Sequence, residues 1–249
     1  MRLFACADPL HLLLSTPTDG GPIYTETDMN RFVVEPFNAG SALLFVLIVA
    51  YWAWRLRGRF HKHVFIAACL PVLFIGGVGG TIYHAFRLSW VFLFMDFMPI
   101  IILTIAASFY FWRKVLYRSW HLWVVFPAFL TVMIGSRWLL SQYGSEGLRP
   151  FIINIGYALT GLMVLIPLFL LLRKTRWRYG GVVLWALTCF GLAVLFRTAD
   201  PWAWFPFGTH WLWHVFGAFA CSALIEYVYR LRAVWRVMFP ESAPSRQVA

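Results

Sequence analysis

Seven mostly apolar stretches run along this chain, over residues 37–56, 64–86, 89–112, 119–139, 150–172, 179–199 and 208–229, with short polar links between them. A helix rises about 1.5 Å per residue, so about 20 such residues cross the hydrocarbon core of a bilayer. The pattern predicts an all-α membrane protein, a seven-transmembrane helical bundle with no internal repeat. Residues 1–36 read as an extramembrane N-terminal segment, 37–230 as the transmembrane domain and 231–249 as a cytoplasmic tail. The opening stretch "MRLFACADPLHLLLSTPT" has a short apolar run broken by Asp8 and Pro9. It reads as an interfacial or extramembrane segment and not as a signal peptide.

Composition agrees with the pattern. Hydrophobic residues make up 61% and charged residues 12%, where soluble domains carry about 25% charged residues. The net charge of +11 would ordinarily raise nucleic acid as a partner. Here the basic residues fall in clusters between the apolar stretches, where topology signals belong, and nucleic acid is excluded on that ground. Of the 21 Lys and Arg, 15 lie in the links after the first, third and fifth stretches and in the tail. The positive-inside rule then places the N-terminus outside and the C-terminus in the cytoplasm. Seven of the ten acidic residues fall on the outer side. The four cysteines, Cys6, Cys69, Cys189 and Cys221, form no C-x-x-C pair and read as small apolar residues.

Polar groups inside the stretches converge in depth. His84 ends the second stretch in "GGTIYHAFR", about one turn below the outer surface. Asp96 lies about two turns, ~10 Å, below that surface on the third. "GTHWLWH" opens the seventh with His210 and His214. Spaced i, i+4, these two share one helical face about 6 Å apart, as two ligands of one ion require. A third imidazole from His84 completes the three-ligand set of catalytic zinc, which leaves a fourth position for water. Asp96 then either orients a ligand or takes the proton of that water. A titratable group in lipid needs a partner or a function. The "GGVGG" run at 76–80 lets neighbouring helices approach closely. Trp202, Trp204, Trp211 and Trp213 form an aromatic belt at the outer interface. Arg197 and Asp200 are expected to pair at the rim.

These residues resemble the alkaline ceramidase group. The likeness rests on "GTIYH", on the Asp of "FMDFMP" and on "HWLWH". "IYTETDMNRFVVEPFNAGSALLF", an acidic cluster followed by E-x-x-N and the first stretch, adds to it, and "FRTADPWAWFPFGTHWLWH" is similar to bacterial members. The group belongs to a seven-span zinc-hydrolase superfamily that also holds the adiponectin-receptor and haemolysin III relatives. The resemblance implies that His84, His210 and His214 are zinc ligands and that Asp96 orients or deprotonates the water. It also implies that Glu26, Asp28 and Glu35 bind calcium. Two departures stand out: the family's first Asp-Trp pair is missing, and the family serine four residues before the first histidine is Gly80. The neighbouring Thr81 points about 100° away around the helix.

The expected function is therefore an intramembrane zinc-dependent amidase that hydrolyses ceramide or a related N-acyl lipid, a step of sphingolipid metabolism. The lipid would enter from the outer leaflet. The compartment that fits is a bacterial inner membrane with the site facing the periplasm, or a luminal site in a eukaryote. Two other readings keep the fold without the chemistry: a zinc-containing seven-span receptor or adaptor, and a haem or metal carrier. A retinal protein is excluded, because the only lysines are Lys62, Lys114 and Lys174 and none lies in the seventh stretch.

Overall fold

The computed structural model describes residues 17–143 and 149–239. The opening stretch with Arg2, Cys6 and Asp8, and the tail from 240 with Arg246, lie outside the described residues. Among the described residues every regular element is helical. The long helices are α1 (Pro36–Leu56), α2 (Val64–Phe86), α3 (Trp90–Val115), α4 (Leu122–Tyr143), α5 (Arg149–Lys174), α6 (Gly180–Ala199) and α7 (His210–Met238). Each falls on one of the apolar stretches, with ends shifted by a few residues.

Five of them, α1, α2, α3, α6 and α7, are long and apolar enough to cross a membrane. Only 11% to 33% of the most apolar window of each is buried. Faces so apolar and so open suit lipid and not water, which marks an integral membrane protein. The larger shift is at the end of α7, which continues to Met238 where the apolar stretch stops at 229. Arg230 Nε donates to Glu226 Oε1 at 2.5 Å one turn earlier, and Arg55 of α1 also pairs with Glu226. An i, i+4 pair of this sign supports a helix.

The chain divides into two compact units. One comprises Met1–Ile101 with Gly181–Arg232, the other Ile102–Gly180 with Ala233–Ala249. In the first unit α1 packs along α2, and the glycine run of α2 sets two close crossings. A Cβ at Gly77 would meet Val46 of α1 at 2.9 Å. One at Gly76 would meet Pro99 of α3 at 3.1 Å, and one at Gly79 would meet the main-chain carbon of Met95 at 2.9 Å. The glycines are thus required by contact with α1 on one side of α2 and with α3 on the other.

The segment before α1 has no regular structure, yet backbone pairing fixes it against the end of α2. Val34 N–H donates to Ala85 O at 2.8 Å, and Glu35 N–H donates to His84 O at 3.1 Å. Two carbonyls that a helix end leaves unsatisfied are thereby used. At the other end of the segment's reach, the Glu26 carboxylate accepts the Phe37 and Asn38 N–H groups, at 2.5 and 2.9 Å. This caps α1 from outside its own sequence.

In the second unit Ser108 Oγ and Trp112 Nε1 of α3 both donate to Met163 O of α5, at 2.8 and 3.1 Å. Lys174 Nζ donates to Lys114 O at 2.8 Å, which ties the end of α5 to the end of α3.

Candidate metal centre

Three imidazoles meet inside the first unit. The ligand atoms of His84, from the last turn of α2, and of His210 and His214, from the first two turns of α7, lie within 4.8 Å of one another, and all three residues are buried. Their ring centroids are 4.9 to 5.4 Å apart. The i, i+4 spacing supplies two of them from one helix face. The third arrives because α2 ends beside the start of α7.

Each ring is held by a different device. His84 Nδ1 lies 2.5 Å from Glu35 Oε2. Burial alone would raise the Glu35 carboxyl, but hydrogen bonds from His84 and Thr27 and the Arg87 charge hold it below the ordinary carboxylate value. As a carboxylate it accepts, so Nδ1 of His84 carries the proton and Nε2 offers its lone pair. That Nε2 is buried and has no hydrogen-bond partner. His214 Nδ1 lies 3.1 Å from Asn38 O, which can only accept, and 2.9 Å from Ser41 Oγ. Its Nδ1 therefore carries the proton too, and Nε2 is the ligand atom.

His210 is placed through its backbone. Asp200 Oδ1 accepts the Thr209 and His210 N–H groups at 2.8 and 2.9 Å, capping α7. Tyr24 lies stacked on the His210 ring at 3.9 Å. His210 Nδ1 is buried without a hydrogen-bond partner.

Two orphaned buried ring nitrogens and two proton-fixed tautomers are costly unless something completes them. Neutral imidazoles oriented by a carboxylate and a carbonyl are a donor set for a single transition-metal ion, zinc among them. The residues present therefore fit a metal held by His84, His210 and His214.

Asp96 stands beside this set and not in it. Its carboxylate lies over Gly80, and a Cβ at that position would run into Asp96 Oδ1. Thr81, next to Gly80, donates its hydroxyl to Gly77 O at 2.7 Å and is turned away.

The three carboxylates expected to bind calcium turn to different partners. Glu26, Asp28 and Glu35 do not converge as three ligands; the three histidines are the set the described residues bring together. Glu26 is spent on the α1 backbone. Asp28 turns outward to Asn30 and Arg31. Glu35 is shared by His84, Thr27 and Arg87. The positive charge among these carboxylates is a guanidinium. The expected rim pair is also replaced. Asp200 caps α7 and accepts Thr25 N–H at 2.9 Å, while Arg197 lies over the Trp213 ring at 5.0 Å.

Asp19, Tyr24, Asn38, Ser41, Arg87 and Asp200 are the site's neighbours that spacing rules do not reveal. Their partners are distant in sequence, as with Asp19 and Arg87, which are 68 residues apart. A usable hint was the acidic excess of the N-terminal segment beside a lone Arg just after His84. No family model matches the chain, and comparison with curated proteins finds no relative.

Proposed function

We propose that this chain is a seven-span membrane hydrolase, a zinc-dependent amidase for ceramide or a related N-acyl lipid, with its N-terminus and site on the outer side. The observation that carries the reading is the convergence of three buried histidines with their outer ring nitrogens already engaged at His84 and His214. Helices α4 and α5 are the two further spans, and the asymmetry of the basic links supplies the direction.

Zinc held by the three histidines would polarise the amide carbonyl and make a water acidic enough to attack near neutral pH. Asp96 would serve as the proton carrier, taking a proton from the attacking water and giving it to the departing amine. Glu35 and Asn38 O keep His84 and His214 in the ligating tautomer throughout. Tyr24 covers His210 and shields that flank from bulk water. The exposed aromatics Trp202, Trp204 and Phe205, beside the start of α7, suit the headgroup layer where such a lipid would present its amide.

The test is metal content by mass spectrometry on detergent-purified protein, with a His210→Ala/His214→Ala double variant alongside. About one zinc per chain, lost in the variant and accompanied by cleavage of a fluorescent ceramide, is the expected result. A folded wild type that retains no zinc in chelator-free buffer would sink the hydrolase reading.

A further inference from the structure

Arg87 is enclosed with two acidic partners: its side chain and those of Asp19 and Glu35 are all 0% exposed. Its fork is divided between them. Nε and Nη2 donate to the two oxygens of Asp19 at 2.6 and 2.9 Å, and Nη1 donates to Glu35 Oε1 at 2.7 Å. The other Glu35 oxygen is the one that faces His84 Nδ1. The backbone of Arg87 is left-handed, φ 50, at the C-terminal cap of α2, where its N–H donates to Tyr83 O. A non-glycine residue stays there only when its surroundings over-determine it. The guanidinium also lies over the Tyr83 ring at 4.7 Å.

We infer that Arg87 is a positioning residue for the metal centre: a built-in cation that locks Glu35, and through Glu35 the His84 ring, while Asp19 ties the N-terminal segment to the same point. This rests on the reading of His84, His210 and His214 as ligands of one ion. The chain of contacts runs Asp19, Arg87, Glu35, His84, and it ends on the ring nitrogen opposite the one offered to the metal. Partners of this kind fix ring orientation and raise ligand basicity. A planar fork can bridge two carboxylates at once, whereas an ammonium is a single point charge and cannot replace it here. Without the guanidinium the two buried carboxylates repel each other, and only Thr27 and the long Asn38 contact are left to help His84 hold Glu35 in place.

The test uses the full chain in detergent: wild type, Arg87→Lys, Arg87→Met, Arg87→Ala and Asp19→Asn, with His210→Ala as the site control. The zinc dissociation constant is read by competition with a chromophoric chelator, and helical content by circular dichroism. The expected result is zinc binding about 10–100-fold weaker in Arg87→Met and in the charge-preserving Arg87→Lys, with helical content unchanged. Added methylguanidinium should recover part of the affinity of Arg87→Ala, which a general packing defect would not allow. Wild-type affinity in a folded Arg87→Met or Arg87→Lys overturns the inference. If the Met and Ala variants fail to fold, Arg87→Lys decides it, and unchanged affinity there overturns it. A wild type that binds zinc no better than His210→Ala would instead overturn the metal reading itself, and this inference with it.

Discussion

A serine at position 80 would match the pattern of the ceramidase group, and the structure predicts that it damages the site. The added Cβ would press into Asp96 Oδ1, with Asp96 Cγ at 3.4 Å and Ala42 Cβ at 3.6 Å as its next neighbours. Loss of a mid-helix glycine stabilises α2 by about 0.5–1 kcal/mol, while the overpacking costs about 1–3 kcal/mol. The net change is a loss of about 0–2.5 kcal/mol, small enough for the fold to survive. The obstruction is the tip of a side chain, so it is relieved by rotation of the Asp96 carboxylate, not by separation of helices. The three atoms nearest the new Cβ belong to Asp96 and Ala42 and not to a histidine, so zinc content should remain at the wild-type level. Displacing a general base costs about 10²–10⁴-fold in rate. Gly80→Ser should therefore bind zinc and unfold within about 10 °C of the wild type, yet cleave fluorescent ceramide at least ~100-fold more slowly. Gly79→Ala is the contrast. Its Cβ would meet the Met95 main-chain carbon and oxygen at 2.9 and 3.1 Å. Backbone cannot rotate aside, so this variant should lose about 3 kcal/mol or more. Turnover by Gly80→Ser at or above the wild-type rate would refute the argument that Gly80 sets the place of Asp96.

Asp200→Ala removes the acceptor of three N–H groups, those of Thr25, Thr209 and His210. A lost cap and buried donors left unpaired predict about 1–3 kcal/mol of destabilisation, read by thermal unfolding in detergent; a change below 0.5 kcal/mol, about the value for an ordinary surface substitution, would count against the cap. Burial would raise the Asp19 carboxyl, but Arg87 and the Gly21 N–H hold it below its ordinary value. A depressed folded value contributes stability that is present above the unfolded value of about 3.9 and is lost as pH falls through the folded one. The stability gap between wild type and Asp19→Asn should therefore be flat from pH 7 down to about 4 and shrink below it; a gap that shrinks between pH 7 and 5 contradicts the assignment. Because Glu35 and Asp19 already pair with Arg87 and Glu26 is taken up by the α1 backbone, a calcium-selective chelator should leave unfolding temperature and zinc content unchanged, and a drop in either would favour a calcium site there.

Lipid makes the helices legible. A bilayer demands long apolar runs, and those runs stand out in the sequence with no help from tertiary contacts. The histidine set is legible for a related reason. His210 and His214 share a helix face by arithmetic, and His84 and Asp96 are conspicuous because titratable groups are rare at their depth. Depth alone does not separate a ligand from a neighbour, and Asp96 proves to stand beside the set. The N-terminal segment is where the sequence misleads. A count of acidic residues at Glu26, Asp28 and Glu35 says nothing of where each carboxylate turns. One finds backbone donors at the start of α1, one finds Asn30 and Arg31, and one finds Arg87. Arg87 itself looks like an ordinary residue of a link between two apolar stretches until the fold encloses it. Arg197 and Asp200 are near neighbours in sequence, but the α7 N-terminus competes for the carboxylate and wins with two N–H groups.

The hydrogen bonds from Thr25 to Asp200 join residues 175 apart in the chain. A ribosome delivers the first of these long before the second. Asp19, Glu35 and Arg87 can meet once α2 has been inserted, whereas His210, His214 and the cap on α7 exist only after nearly the whole chain has been made. During biogenesis the N-terminal segment must therefore wait, docked on the end of α2 but open on the side where α7 will arrive. The three-histidine set is the last part of the site to be completed, and a chain truncated before α7 would hold only one of its three imidazoles.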